Sequence, residues 1–214
     1  MLVQVDCPGL IRIGHPGNGG KYVCSPMHLP SRCVIYSLGI ANQVSFDYEI
    51  MRNFGTAKKC KIFGFEKSPV NVSVYNGVKR SILTIVELAN VTNLTAKPVP
   101  QITIRDIMVK FKHKYVDIFK IDIENAEFAT LLPFLETQIR QNQTVFACQI
   151  LIEIHDDSME QRQVRLLKLL EQTGFNLFAK DFNPWFPSAV EYAYIHEDCR
   201  QRYRSSNRFL NNFS

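Results

Sequence analysis

Val116-Asp117-Ile118-Phe119-Lys120-Ile121-Asp122-Ile123-Glu124-Asn125-Ala126-Glu127-Phe128 decides the fold of this chain. Val116, Ile118, Phe119 and Ile121 read as a buried parallel strand. Phe128, Leu131, Leu132 and Leu135 read as the apolar face of the helix that follows at once. Three carboxylates, at 122, 124 and 127, occupy the junction. Open α/β sheets bind ligands just outside the carboxyl ends of their strands, so acids at such an end are well placed for a site. Acids also suit the first turn of any helix, where they meet the positive end of its dipole. The rest of the chain has to separate the two readings.

Working outward, strands and helices alternate. Upstream, Cys33 to Gly39 is a strand stopped by Gly39, and Ser45 to Asn53 a helix with Phe46, Ile50 and Phe54 inward. Lys61 to Phe65 is the next strand, ending at Glu66 and broken by Ser68-Pro69. Ile82 to Leu88 is another, Ile102 to Ile104 a short extended piece, and Asp106 opens a helix. Downstream, Gln149 to Ile154 is a strand ending at His155-Asp156-Asp157. Ser158 caps a helix with Val164, Leu166, Leu167 and Leu170 on its apolar faces. Phe175 to Ala179 and Val190 to Ile195 close the pattern as strands joined without a helix, so one of them is expected to run antiparallel. The order predicts a doubly wound α/β fold: a three-layer sandwich around a mainly parallel sheet with an antiparallel last strand. Residues 1–30, rich in Gly and Pro, are expected to be a loop-rich entry with at most a short strand around Tyr22 to Cys24. Residues 31–198 form the domain proper and 199–214 a basic tail containing Arg200, Arg202, Arg204 and Arg208.

The chain has 214 residues, 46% of them hydrophobic, and a net charge of +5, enough for one domain with a substantial core. With no basic aromatic platform and no zinc-finger spacing, nucleic acid is not an expected partner. No apolar run is long enough to span a bilayer, and no signal-peptide h-region is present. Five Asn-x-Ser/Thr sequons nonetheless occur, at Asn71, Asn90, Asn93, Asn142 and Asn212. Chance predicts about 1.4 from the Asn, Ser and Thr content. Six cysteines without a CxxC metal spacing permit three disulfides. Together these features point to the lumen of the secretory pathway or the cell exterior. Either an upstream signal or anchor, through which the protein could attach to a membrane, lies outside this chain, or the compartment reading fails.

The strand ends carry the chemistry. Tyr36-Ser37-Leu38-Gly39 ends one strand, where glycine lets the backbone approach a ligand closely. Glu66 ends the next, at the strand tip where dinucleotide-type folds keep an acid for ribose hydroxyls. No phosphate-cradling GxGxxG or GxxxxGK[ST] is present, so the expected ligand is a nucleoside without a pyrophosphate, which points towards S-adenosylmethionine. His155-Asp156-Asp157 offers metal-ligating residue types, but adjacent residues rarely converge on one ion and no metal site is expected.

With these residues the chain resembles the class I S-adenosylmethionine-dependent methyltransferases, and among them the FkbM-related, methyltransferase-like group of animals. Four segments carry the resemblance: Arg12-Ile13-Gly14 through Gly17-Asn18-Gly19-Gly20-Lys21-Tyr22; Val34 to Gly39 with Ser45-Phe46-Asp47; Phe63-Gly64-Phe65-Glu66-Lys67-Ser68-Pro69; and Asp117 to Glu127. Ile152-Glu153-Ile154-His155 and Glu191 to Ile195 support it. The resemblance implies Ser37 and Gly39 against the methionine moiety of the cofactor, Glu66 on its ribose, and Asp122 beside its amino group or the acceptor. It implies Glu124, or else His155, as the general base towards a hydroxyl acceptor, a small molecule or a glycan. The chain departs from the family's pattern at Asn125, where glycine is usual, at Ala41 and Asn42 in the cofactor turn, and at Glu66 in place of Asp. Two functions fit these residues: an O-methyltransferase of the secretory pathway, and a non-catalytic secreted binding protein that keeps the fold.

The strand layout also predicts the disulfides. Cys33 and Cys60 precede strands expected to be parallel neighbours, about 4.8 Å apart and within disulfide reach. Cys148 opens a strand whose antiparallel neighbour runs towards Cys199. Cys7 and Cys24 remain to close the N-terminal loop.

Overall fold

The computed structural model describes residues 2–41, 43–68, 75–155, 160–183 and 188–207. Met1, Asn42, Pro69, Asn71, Asp156, Asp157, Ser158, Arg208 and Asn212 lie outside them, so the helix cap expected at Ser158 and two of the sequons do too.

Val116–Ile121 forms a strand buried along its whole length, as its four apolar residues require of a strand covered on both faces, with Asp117 and Lys120 buried among them. The strands, in chain order, are β1 (Val5–Asp6), β2 (Leu10–Ile13), β3 (Lys21–Cys24), β4 (Val34–Leu38), β5 (Lys61–Glu66), β6 (Ser81–Ile85), β7 (Glu87–Leu88), β8 (Gln101–Ile102), β9 (Val116–Ile121), β10 (Ala147–Ile154), β11 (Phe175–Phe182), β12 (Val190–His196) and β13 (Ser206–Asn207). Seven of them make the central sheet in the order β11-β12-β10-β9-β4-β5-β6. The pairs from β10 through β6 are parallel, and β12 is antiparallel to both its neighbours. The fold is therefore the expected doubly wound one. From β4 the chain builds outward through β5 and β6, then returns to β9 on β4's other side. The order reverses between β4 and β9, and their carboxyl ends open a crevice there.

The helices among the described residues include α1 (Ser45–Ile50), α2 (Ile104–Lys110), α3 (Glu127–Arg140), α4 (Glu160–Gln172) and α5 (Arg200–Tyr203). Residues of α2, α3 and α4 share one core with the sheet, including Ile107, Leu131, Leu135, Leu166 and Leu170. The second core, on the other face, takes Phe46 and Ile50 of α1 together with Val5, Ile13 and Val23 from the N-terminal strands and Tyr203 from α5. Among the described residues no helix is long and apolar enough to cross a membrane.

Several details depart from the sequence expectations. The first thirty residues contain three short strands rather than one, because Leu10–Ile13 pairs with Lys21–Cys24 as a hairpin and Val5–Asp6 pairs with β13. The α1 helix continues as a wider, π-type turn over Met51–Gly55. Helix α2 begins at Ile104 and not at Asp106, since the Thr103 side chain caps it by accepting the Asp106 backbone N–H. In α4, Val164 is exposed while Leu169 joins Leu166 and Leu170 in the core. The disulfides are the three expected ones, Cys7–Cys24, Cys33–Cys60 and Cys148–Cys199, with Cα separations of 5.6, 4.3 and 5.5 Å.

Candidate functional site

One wall of the crevice is the turn after β4. Gly39 has φ 77°, and a Cβ there would lie 1.6 Å from the backbone oxygen of Asp122. Only glycine fits, and the close approach that demands it is to the end of β9 rather than to a ligand. Glu66, at the tip of β5, reaches over to this turn. Its Oε2 accepts the backbone N–H groups of Ile40 at 2.7 Å and Ala41 at 2.8 Å, and its Oε1 accepts that of Ser68 at 2.9 Å. The buried Lys120 ammonium donates to the Gly39 carbonyl at 2.7 Å and fixes the turn from the β9 side.

Beyond this wall lies a cavity of about 250 Å³. Phe65, Val86, Leu88, Ile123 and Ala126 make it apolar, while Glu66, Glu87, Asp122 and Glu124 supply carboxylates. A smaller cavity of about 60 Å³ shares Gly39, Ala41, Asp122 and Glu124 with it, and adds Gln43, Lys120, Glu153 and His155. Between the two, the chain leaves β9 through consecutive left-handed residues, Glu124 at φ 53° and Asn125 at φ 71°.

The other wall is a pit of charge. Lys21, buried in the N-terminal hairpin, contacts Glu153 Oε2 at 2.6 Å, Glu191 Oε1 at 3.0 Å and Asp122 Oδ2 at 3.2 Å. Burial by itself would lower its pKa, but Asp122, Glu191 and Glu153 more than offset that and hold the ammonium above its ordinary value. Burial would likewise raise Asp122; Lys21, then Lys120 and His155, keep its carboxyl below the usual range. Arg12 caps Glu191 at 2.9 Å and Asp181 at 3.0 Å. His155 places Nδ1 3.0 Å from Oε1 of the fully buried Glu127, which also accepts the Ile123 backbone N–H at 3.1 Å. Burial would lower His155, yet the Glu127 hydrogen bond and the charges of Glu127, Asp122 and Glu124 push it up to about 9. At neutral pH the imidazole of the free protein is thus a cation and a donor.

A family model described as a methyltransferase domain matches residues 3–196 of the sequence. The chain belongs to the methyltransferase-domain family. That membership makes it an enzyme of methyl transfer, and the methyl donor it implies is S-adenosylmethionine. No curated protein matches this methyltransferase domain in sequence. Among solved structures it is similar to the fibrillarin pre-rRNA processing protein of Methanococcus jannaschii, at 16% identity over 80% of this chain and 69% of that one, with a TM-score of 0.48. It is also similar to Aeropyrum pernix fibrillarin with natively bound S-adenosyl-L-methionine, at 13% identity, 88% and 83% coverage and a TM-score of 0.47. The magnesium protoporphyrin IX methyltransferase of Synechocystis PCC 6803 gives 9% identity, 79% and 72% coverage and 0.43. Nothing rests on likenesses this distant; the fold stands on its own strand order.

Of the residues singled out in the sequence, Gly39, Glu66, Asp122 and Glu124 line the larger cavity of the methyltransferase domain, and His155 lines the smaller. Ser37 stands apart: it is fully buried within β4, beside Asp47, and lines neither cavity. Residues that sequence reasoning left out of the site are Lys21, Lys120 and Glu153, while Glu127 was placed at the strand end without a role. An acid such as Glu153 inside the apolar strand Gln149 to Ile154 was the available signal, because a buried charge needs a partner. Lys21, in a Gly-rich stretch, gave none.

The cavities fit the cofactor. Together they reach the lower end of the size of ligand pockets, about 300 Å³. The apolar walls suit a flat base, and Glu66 Oε1 keeps a lone pair for a ribose hydroxyl. The surrounding carboxylates suit a sulfonium and an ammonium.

Proposed function

We propose that this chain methylates a hydroxylated acceptor, a small molecule or a glycan, in the lumen of the secretory pathway or outside the cell, as a member of the FkbM-related group. The observation that carries the reading is the meeting of the Gly39 turn, Glu66 and Asp122 around one apolar cavity at the point where the strand order reverses. S-adenosylmethionine supplies an electrophilic methyl group on a sulfonium. What the chain supplies is orientation, the larger part of catalysis in such a displacement. Phe65, Val86, Leu88 and Ile123 hold a base and keep water from it. Glu66 and Asp122 accept hydrogen bonds from the ribose and the amino group. Glu124, exposed at the cavity mouth, takes the proton of the acceptor hydroxyl. His155, a cation at neutral pH in the metal-free protein, does not serve as the base.

The location is supported by three disulfides and by the exposure of Asn90, Asn93 and Asn142, the sequon residues among those described. Digestion of secreted protein with glycosidases is expected to lower its mass by several glycans; an unchanged mass sinks the lumenal reading.

Calorimetric titration with S-adenosylmethionine tests the function. One site is expected, and Glu66→Ala should weaken it by about 1–3 kcal/mol, the scale of lost charge-assisted hydrogen bonds. No heat from the wild-type protein overturns the cofactor reading, and equal affinity in Glu66→Ala removes Glu66 from it. Binding without turnover of any hydroxylated acceptor would leave a binding protein.

A further inference from the structure

We propose that Asp122, Glu153 and His155 form a binding site for one divalent transition-metal ion. The three residues come from the ends of two adjacent strands, β9 and β10, and one ligand atom from each lies within 4.8 Å of the others. His155 Nε2 stands 3.8 Å from Asp122 Oδ1, from Glu153 Oε1 and from Glu124 Oε2. That distance is beyond hydrogen-bond reach. It is close to the spacing of donors sharing one ion, about 3–4 Å when each bond is about 2.1 Å.

The imidazole is aimed for the purpose. Glu127 Oε1 already accepts the Ile123 N–H, so the facing Nδ1 of His155 is the donor and Nε2 is the atom left for the pit. A carboxylate behind a histidine is the arrangement that orients metal-ligating imidazoles and raises their basicity. The same carboxylate supplies a further observation. Glu127 Oε2 is fully buried and has no hydrogen-bond partner among the described residues. Leaving a buried carboxylate oxygen without a donor is costly, and a cation just across the imidazole offsets it.

The carboxylates are held by their far oxygens. Lys21 takes Glu153 Oε2 and Asp122 Oδ2, which leaves Oε1 and Oδ1 directed at His155. Asn183 donates to Glu153 Oε1 at 2.8 Å and leaves that oxygen a second lone pair. Lys21 is therefore a positioning residue here rather than a competing occupant. Five carboxylates, Asp122, Glu124, Glu127, Glu153 and Glu191, surround Lys21, Lys120 and His155, and Arg12 is shared between Glu191 and Asp181. Negative charge is in excess, and a divalent cation in place of the Nε2 proton offsets part of it. One nitrogen and two carboxylates favour Mn²⁺ or Zn²⁺ over Ca²⁺, which takes six to eight oxygens. The sequence expectation of no metal assumed ligands from adjacent residues, whereas this set joins two strand ends. An ion there could polarise an acceptor oxygen; that use rests on the methyl-transfer reading, and the site itself does not.

The test is a Mn²⁺ titration of secreted, tag-free protein, followed by electron paramagnetic resonance. One saturable ion per chain is expected, with a nitrogen coupling from a coordinated imidazole. His155→Ala and Glu153→Gln should each weaken binding at least tenfold. No saturable uptake of Mn²⁺ or Zn²⁺ at millimolar concentration overturns the proposal, as does uptake that His155→Ala leaves unchanged. Should the variants fail to fold, a bound ion without nitrogen coupling in the wild type overturns it equally. S-adenosylmethionine binding is measured on the same sample. Cofactor binding without metal removes only this site, and metal without cofactor removes only the methyl-transfer reading.

Discussion

The two walls of the crevice are built by different means. The β4–β5 wall is held by backbone: one carboxylate, Glu66, takes three N–H groups, the two from the Gly39 turn being 25 and 26 residues away. The β9–β10 wall is held by side-chain charge, and its Lys21 meets Glu153 and Glu191 across 132 and 170 residues. Backbone amides stay wherever the turn stays. A buried charge lattice depends on every member, because removing one leaves the others unpaired in a poorly solvated place. The first wall should therefore tolerate single changes and the second should not.

The sharpest break of that contrast is Lys21→Met. It keeps the apolar stem but strips three carboxylates of their common partner, and it is expected to cost about 3–5 kcal/mol. For a chain of this size that lowers the melting temperature by roughly 10 °C. Calorimetry or circular dichroism of the purified protein reads the shift. A loss below about 1 kcal/mol would mean that solvent, and not Lys21, compensates the pit.

The next prediction concerns a charge behind the backbone-built wall. Asp47 of α1 is fully buried, and neither of its oxygens has a hydrogen-bond partner among the described residues; nor have the hydroxyls of Ser37 and Tyr75. Burial pushes its carboxyl from 3.8 up to about 6, against the partial relief of Lys120 and the nearby Ser37. The folded state thus holds a proton that the unfolded chain has already released, so stability falls as pH rises between those two values. The loss amounts to about 3 kcal/mol. Asp47→Asn should flatten this part of the profile, and equilibrium denaturation from pH 3.5 to 7 in both proteins checks it. Parallel profiles would show Asp47 to be solvated or paired.

The same contrast governs how much of the molecule could be read from its sequence. The β-strand pattern, the antiparallel end of the sheet and the cysteine pairing follow from local periodicity plus the few topologies a parallel sheet allows. Gly39, Glu66 and Asp122 were legible because each ends a strand that its own apolar run announces. Lys21 was not, since a lysine among glycines looks solvated until a hairpin folds it across the sheet. Ser37 differs: its place in the motif suggested the cofactor, while β4 is covered on both faces and buries it beside Asp47. Val164 and Leu169 of α4 exchanged roles because the apolar pattern there is wide enough for two helix faces.

The smallest effect belongs to the hinge between the walls. Asn125 stands at φ 71° directly after Glu124 at φ 53°. Asparagine is among the residues that tolerate this region, and glycine tolerates it better but has more unfolded-state freedom to lose. The two terms nearly cancel, so Asn125→Gly should change stability by less than about 0.5 kcal/mol. Asn125→Val places a β-branched residue where its Cβ meets the neighbouring carbonyl, and should cost about 1–2 kcal/mol. Denaturant midpoints of the two variants separate these outcomes. Equal midpoints would mean that the chain leaves β9 by another path, and with it that Glu124 is not held at the cavity mouth by its backbone.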